Sequence, residues 1–365
     1  MQFSSFFLPV LGLLAVTLPF ASAASHSFSP HSTLVSIFFL LAFLGVGARA
    51  IRKYGAGVVL VVLLGVLMLQ AQWGLFQFVV QRDLGMYLLG ETRLEVREPG
   101  IAKFAVFGGK LIRGYGPYPH ANNFGGAMVI GIVATILLFS PQPQRERKQV
   151  PLPVSQLAFA VFFWLGLLVS FSRSAYIGAG LALILGFLYV RRQVKHWIIP
   201  LLVSIFVFTP LFMSRSGDPA DVAVSERILG YEWAVEIIKG HGLWYGSGLG
   251  NYEEVLRSFL VQSSISFEDW QIAPVHSAPL LLAAELGVIP LLLLATGVGL
   301  ALVLSWPREG RLGLGMLLLP IVPLALFDYY LVRQLAPVGY VLLVLMCARS
   351  WYSEEYNDSL YPNGC

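Results

Sequence analysis

Long apolar segments alternate with short polar connectors along most of this chain. A helix needs about 17–25 apolar residues to cross a bilayer. Ten segments meet or approach that length, at 5–23, 33–49, 56–80, 123–140, 151–171, 174–190, 197–213, 277–305, 313–331 and 334–348. The pattern predicts an all-α polytopic membrane protein with about ten transmembrane helices in a single membrane domain. The first segment also fits a secretory signal, because Ala21-Ser22-Ala23 resembles a cleavage site, although Met1-Gln2-Phe3 lacks a positive side chain.

The longest polar stretch runs from 214 to 275. Its backbone groups would stay unpaired in hydrocarbon, so it must lie on one membrane face, as a large loop. Within it, Val222–Lys239 has amphipathic spacing and predicts a helix over the mouth of the membrane domain, ending at Gly240. A tight loop at Gly246–Asn251 leads to a second predicted helix, Tyr252–Gln262. No strand precedes this loop, which excludes a dinucleotide-binding fingerprint.

The connector at 81–122 predicts a second external element. Its centre fits a short hairpin around Gly108-Gly109. The hairpin leads into 113–123, where glycines, prolines and polar side chains crowd just before an apolar segment. Loop chemistry at the mouth of a membrane domain makes this stretch a candidate wall of a substrate site. The alternative is an interfacial turn with Tyr115 and Tyr118 in the aromatic belt.

The composition agrees with a membrane protein. Hydrophobic residues make up 57% of the chain and charged residues 12%, against roughly 25% charged in soluble domains. The net charge of +4 does not indicate nucleic-acid binding, because the basic residues cluster in alternate connectors, the pattern of cytoplasmic loops. These clusters are Arg49/Arg52/Lys53, Arg145/Arg147/Lys148, Arg191/Arg192/Lys195, Arg308/Arg311 and Arg349. We therefore expect an inner-membrane protein with both termini cytoplasmic and the loops at 81–122, 172–174 and 214–275 outside.

The sequence gives no sign of a metal site or a disulfide framework. Of its two cysteines, Cys347 lies in an apolar segment and Cys365 is the last residue. Neither cysteine has a histidine at metal-ligand spacing, and no acidic cluster with such spacing occurs on the predicted outer side. We expect neither a metal nor another cofactor.

Two arginines on the predicted outer side are candidate anion-binding residues. Arg173 occupies the short turn Ser172–Ser174, and Arg227 lies in the predicted amphipathic helix. Guanidinium groups stay charged and bind phosphate oxygens through paired donors. For Arg173, the alternative is an arginine at the membrane interface whose aliphatic stem covers apolar surface. For Arg227, the alternative is a solvated salt bridge with a carboxylate such as Asp221.

His276 is the candidate general base. It precedes an apolar segment on the outer side, and Pro279 suits the first turn of the helix that follows. The positive end of this helix disfavours imidazolium and favours the neutral ring that a base requires. The alternative is an ordinary hydrogen-bonded histidine at the membrane interface.

Glu285 is an ionisable group within the same apolar segment and is therefore also a functional candidate. At about 100° per residue it lies on the opposite helix face from His276. It is therefore not expected to pair with that histidine. A structural ion pair with Arg173 or Arg333 is the preferred interpretation.

These residues belong to motifs that resemble the O-antigen ligase and polymerase family (Wzy-like proteins with an O-antigen ligase-related membrane domain). The resemblance extends from about Gly114 to Val332. It rests on Ser172–Gly178, Arg227 with Tyr231-Glu-Trp233, Gly246–Tyr252, His276–Gly287, Pro119-His-Ala-Asn122 and Phe327-Asp328-Tyr-Tyr330. The family usually has His-Asn where this chain has His276-Ser277, a difference that concerns fine positioning, because serine replaces some amide hydrogen bonds.

The resemblance implies an all-helical membrane glycosyltransferase of the C superfamily. The donor would be a glycan on a polyprenyl diphosphate in the outer leaflet, and the acceptor a hydroxyl of another glycan or lipid-linked sugar. Arg173 and Arg227 would clamp the diphosphate, His276 would take the acceptor proton, and direct attack would invert the anomeric carbon. The remaining candidate substrate-binding residues are Arg113, His120, Asn122, Tyr231, Glu285 and Asp328.

Two questions stay open at this point. Polymerases, ligases and protein O-glycosyltransferases share these residues. The polar loop at 214–275 is a short insert close to the lipid, which favours a polymerase slightly. The alternative function is a transporter or flippase of lipid-linked oligosaccharide. Inverted repeats or polar groups at the membrane midplane would indicate transport, whereas the charged residues here crowd the outer face.

Overall fold

The computed structural model describes residues 30–98, 100–106, 109–139, 153–189, 222–241, 243–268, 271–307 and 310–360. The apolar segments predicted at 5–23 and 197–213 lie outside the described residues. So do the basic connectors at 143–149 and 191–196, and Asp221. The number of ten transmembrane helices therefore stays a prediction.

Apolar helices dominate the described part of the chain. The first five are α1 (Pro30–Tyr54), α2 (Ala56–Val80), α3 (Ala121–Phe139), α4 (Pro153–Ser170) and α5 (Arg173–Tyr189). Helices long and apolar enough to cross a membrane, by length and composition, are Ala56–Val80, Ala121–Leu138 and Val288–Ser305. The chain thus has the helical, apolar character that the sequence predicts.

Helix α3 forms the centre of the bundle. All of its segment Ala121–Leu138 is buried, and it packs against α2, α4 and α5. A helix that is apolar on every side is expected in such a central position. Gly131 allows close packing, since a Cβ there would lie 2.9 Å from the ring of Phe163 on α4. The last helix, α13 (Leu335–Leu360), closes the bundle against α1, α2 and α3.

Two predicted membrane segments are interrupted rather than continuous. The segment at 277–305 consists of α8 (Ala278–Leu286) and α9 (Val288–Ser305), separated by Gly287 at φ 94°. Glycine adopts this backbone conformation without the strain that a side chain would cause. The hydropathy of the segment does not reveal the break.

The segment at 313–331 is divided further. It comprises α10 (Arg311–Leu318), a 3₁₀ turn, α11 (Val322–Leu326) and α12 (Tyr330–Arg333). Pro320 and Pro323 lack the amide hydrogen that an uninterrupted helix would use. The non-helical residues between α11 and α12 include Asp328. The prediction of one continuous helix was therefore wrong here, as it was at 277–305.

The predicted hairpin is present in the connector at 81–122. Strands β1 (Lys103–Val106) and β2 (Gly109–Ile112) pair antiparallel, with Val106 opposite Gly109. Gly109 is thus in the second strand and not in the turn. The connector packs against the bundle, because the ring of Phe104 stacks on Phe171 with centroids 3.9 Å apart. Tyr115 and Tyr118 are almost fully buried, so the aromatic-belt alternative was wrong.

The large loop contributes two helices, α6 (Val222–His241) and α7 (Tyr252–Gln262). Helix α7 has the predicted bounds, and α6 ends one residue beyond the predicted Gly240. The two helices pack with α8 around a second, smaller apolar core. Its fully buried members are Ala234, Ile237, Tyr252, Leu256, Leu260, Val275, Leu281 and Ala284.

Candidate active site

A cavity of about 600 Å³ opens where the external connector, the α4–α5 turn, helix α6 and the segment before α8 meet. Six of the residues predicted to be functional line it, although they are widely separated in the sequence. They are Arg113, His120, Asn122, Arg173, Arg227 and His276. Three arginines, two histidines and an amide therefore share one space, as an anion-binding catalytic site requires.

A chain of hydrogen bonds fixes one wall of the cavity. Arg113 donates from Nε to the carbonyl oxygen of Ser170 and from Nη2 to Oδ1 of Asn122, both at 2.6 Å. Asn122 then donates from Nδ2 to Oδ2 of Asp328 at 2.7 Å. All of these side chains are buried. These hydrogen bonds join the external connector, the start of α3 and the segment between α11 and α12.

Asp328 lies beside His276. Its Oδ1 is 3.6 Å from the buried Nδ1 of His276, an ion-pair distance and longer than a hydrogen bond. The Asp328 carbonyl oxygen accepts the backbone amide of Ala278, which holds the start of α8 in place. The ring of Tyr329 packs against the imidazole with centroids 5.3 Å apart. The sequence predicted Asp328 as a substrate-binding residue; it supports the candidate base, and Tyr329 rather than Asp328 lines the cavity.

The carboxyl group of Asp328 is held in its ionised form. Its oxygens accept hydrogen bonds from Nδ2 of Asn122 and from the backbone amide of Tyr329, at 2.7 and 2.9 Å. Hydrogen bonds donated to a carboxylate favour its charged form. A buried carboxylate next to Nδ1 orients the imidazole and leaves Nε2 for a substrate. No local sequence pattern could reveal this pair, because His276 precedes α8 and Asp328 lies between α11 and α12.

Arg173 reaches the cavity as the first residue of α5, directly after the turn from α4. The chain reverses at Phe171, which has a φ of 47°. Ser172 and Ser174 flank the arginine, and their hydroxyl groups lie 3.2 Å apart at the cavity wall. The turn can approach α3 because of Gly125, where a Cβ would lie within 3.0 Å of atoms from this turn. Sequence reasoning singled out Arg173 but not the serine hydroxyls.

Arg227 reaches the cavity from α6. Arg227, Gly230 and Trp233 line it at helical spacing, which puts this face of α6 over the site. Tyr231, on the same helix, donates from its hydroxyl to the carbonyl oxygen of His276 at 3.0 Å. Tyr231 therefore positions the segment that carries the histidine and is not part of the cavity lining.

Glu285 lies away from the cavity in a buried ion pair. Its Oε1 accepts a hydrogen bond from Nη2 of Arg333 at 2.6 Å, and Arg333 also contacts Glu253 at 2.9 Å. Of the two predicted partners, Arg333 is the observed one. The pair connects α8, which follows His276, to α12, which follows Asp328.

The loop at Gly246–Asn251 caps the other end of α8. The backbone amides of Ser247 and Gly248 donate to the carbonyl oxygens of Ala284 and Glu285, at 2.8 and 3.0 Å. Such bonds satisfy the last carbonyl groups of a helix. Helix α8 is therefore fixed at both ends, with His276 immediately before its start.

Within the described residues, no group of three or more histidine, cysteine, aspartate or glutamate side chains is arranged to hold a metal ion. The positively charged side chains that line the cavity are those of Arg113, Arg173, Arg227 and Lys103. Unlike a bound metal, these arginines are part of the chain itself and stay charged at any physiological pH.

Comparison with known proteins supports the resemblance that the motifs predict. A family model described as O-antigen ligase matches residues 158–295, a little more than a third of the chain. No curated protein and no solved structure matches the chain. The matched range includes Arg173, Arg227 and His276, three residues that line the cavity. Residues 158–295 therefore match the O-antigen ligase family that the sequence motifs predict.

Proposed function

We propose that this protein is a membrane glycosyltransferase that moves a glycan from a polyprenyl diphosphate to a sugar hydroxyl. The observation that carries the proposal is the single cavity in which Arg173 and Arg227 meet His276. A phosphate clamp and a general base are the two parts that this reaction needs from the protein. The family match supports the same class of reaction.

In the proposed reaction, Nε2 of His276 takes the proton of the acceptor hydroxyl. The acceptor oxygen then forms a bond to the anomeric carbon, and the bond from that carbon to the diphosphate oxygen breaks. The electron pair leaves with the polyprenyl diphosphate, and attack from the opposite face inverts the anomeric carbon. Asp328 stabilises the imidazolium that forms, because its carboxylate lies 3.6 Å from Nδ1. General base catalysis of this kind contributes about 10²- to 10⁴-fold to a rate.

Arg173 and Arg227 bind the diphosphate in this proposal. They neutralise the charge that grows on the leaving group, which is the largest electrostatic demand of the transfer. Arg113 adds positive potential, although its bonds to Ser170 and Asn122 restrict its movement. Because arginines supply the charge, we expect transfer to continue in excess chelator.

The proposal includes an arrangement in the membrane. About ten transmembrane helices cross the inner membrane, both termini lie in the cytoplasm, and the cavity opens to the extracytoplasmic side. The positions of the basic connectors are the basis for this orientation, by the positive-inside rule. A lipid-linked donor in the outer leaflet then reaches the arginines without crossing the bilayer.

The test is a transfer assay with purified protein, a lipid-linked oligosaccharide and a chelator. A ladder of products indicates a polymerase, and a single addition indicates a ligase. His276→Ala should slow transfer by about 10²- to 10⁴-fold while the donor lipid still binds. Absence of transfer by wild-type protein, together with movement of the lipid between leaflets of a liposome, would indicate a transporter instead.

A further inference from the structure

His120 lies in the cavity wall with a defined arrangement of its ring nitrogens. The backbone amide of Asn122 donates a hydrogen bond to Nδ1 of His120 at 3.1 Å. A neutral imidazole carries one hydrogen, so a ring that accepts at Nδ1 carries that hydrogen on Nε2. His120 is therefore a hydrogen-bond donor at Nε2.

The surroundings of His120 keep the ring neutral. Burial, followed by the positive charge of Arg113, lowers the pKa of His120 to about 3. The negative charge of Asp328 acts in the opposite direction and does not compensate. Near neutral pH the residue thus presents an uncharged donor, unlike the permanently charged arginines around it.

The donor atom of His120 is available to a ligand. Part of the surface of this residue faces the cavity, and no group in the described residues pairs with Nε2. The ring of Tyr115 packs edge-on against the imidazole, with centroids 6.0 Å apart, and restricts its orientation. The hydrogen bond at Nδ1 and the contact with Tyr115 thus fix the ring, with Nε2 as its remaining donor.

Position and charge together indicate which ligand group Nε2 meets. Asn122 links His120 to the candidate base, because its backbone amide donates to His120 and its side chain donates to Asp328. Asp328 lies beside His276, so His120 lies on the side of the candidate base. The acceptor must occupy that side, since its hydroxyl gives a proton to His276. A neutral donor suits an uncharged oxygen, such as a second hydroxyl or an N-acyl carbonyl of a sugar.

We propose that His120 determines acceptor specificity by donating a hydrogen bond from Nε2 to an uncharged oxygen of the acceptor sugar. The inference rests on the proposed function and adds a contact that recognises the acceptor rather than the diphosphate. A sugar that lacks this oxygen leaves a polar group unpaired in the cavity and is rejected for that reason.

Two substitutions at position 120 test the roles of the two ring nitrogens separately. His120→Gln places an amide donor near the position of Nε2 and gives up the acceptor at Nδ1. His120→Asn keeps an acceptor near Nδ1 for the Asn122 amide but does not reach the position of Nε2. We expect His120→Asn to raise the KM for the acceptor about tenfold, the effect of one lost hydrogen bond. His120→Gln should stay within a few-fold of wild type, and the KM for the donor lipid should not change in either variant.

A larger rise of the acceptor KM in His120→Gln than in His120→Asn would mean that His120 only caps the start of α3. That result would overturn the inference. Equal losses in both variants, or a rise in the donor KM alone, would overturn it as well. Thermal unfolding in detergent checks that both variants fold. Failure of the proposed function is distinguishable, because wild-type protein would then transfer no glycan to any acceptor.

Discussion

In the proposed mechanism, position 227 requires the geometry of arginine and not its charge alone. Its guanidinium group can offer two parallel donors to a phosphate, whereas a lysine offers a point charge. We expect Arg227→Lys to weaken donor binding at least tenfold and to slow transfer, although the charge is kept. The measurement is the affinity for the donor lipid together with the rate of transfer. Lys239→Arg is the matched control, since Lys239 lies on the same helix, exposed and paired with Glu236 outside the cavity.

Unchanged donor affinity in Arg227→Lys would remove this arginine from the diphosphate clamp. The site would then depend on Arg173, and the face of α6 over the cavity would act only as a cover. A loss of the same size in Lys239→Arg would indicate a general disturbance of α6.

The hydrogen bonds to Asp328 predict a contribution to stability. Nδ2 of Asn122 and the backbone amide of Tyr329 donate to its two carboxylate oxygens, at 2.7 and 2.9 Å. Asp328→Asn replaces one of these acceptors by an amide nitrogen, which cannot accept a hydrogen bond. We expect this variant to have a lower Tm in detergent than wild-type protein, because a donor loses its partner. An unchanged Tm would contradict this role of Asp328.

Single site residues were predictable from the sequence, whereas the contact between His276 and Asp328 was not. Charge and position identified Arg173, Arg227 and His276, and all three line the cavity. The support of His276 by Asp328 depends on how two distant helix ends meet, and hydropathy contains no information on that. The pair of Glu285 with Arg333 was predictable because a buried charge requires a partner.

At the scale of elements, periodic patterns in the sequence predicted where helices occur better than whether each helix is continuous. The bounds of α7 follow directly from its amphipathic spacing. The breaks at Gly287 and around Asp328 were missed, because glycine and proline inside an apolar run leave its mean hydropathy high. The interruption around Asp328 lets the backbone leave the helical path beside the candidate base, whereas the break at Gly287 lies at the far end of α8, away from the cavity.

The cap of α8 gives a prediction at the same scale. A Cβ at Gly246 would overlap backbone atoms of Glu285, whereas a Cβ at Gly240 in α6 would have no neighbour within 4 Å. We expect Gly246→Ala to lower the stability and to reduce transfer, because the loop must move away from the end of α8. Gly240→Ala should be neutral or stabilising by up to about 1 kcal/mol, as alanine is the better helix former.

Thermal unfolding in detergent and the transfer assay together measure both effects. Normal stability and transfer in Gly246→Ala would show that the contact between the loop and α8 is not needed to hold His276. Loss of activity in Gly240→Ala would instead point to a role of the end of α6.

At the scale of the whole molecule, the site residues gather at one end of the helix bundle. Helix α3 starts there after His120, α4 returns to it at Ser170, and α5 leaves from it at Arg173. The start of α8 and the segment at Asp328 reach the same end through the hydrogen bond from Ala278. A membrane protein whose reactive groups all lie at one end can work on a lipid headgroup in one leaflet.

The orientation of that end is the last prediction. The basic connectors at 143–149 and 191–196 should face the cytoplasm by the positive-inside rule, and the cavity end should face outward. In a variant without its native cysteines, Leu88→Cys and Leu243→Cys should react with an impermeant thiol reagent in intact cells. Both positions are well exposed, at 98% and 59%. Cysteines in the two basic connectors should react only after permeabilisation. Labelling of those connectors in intact cells would invert the orientation and would require a donor in the inner leaflet.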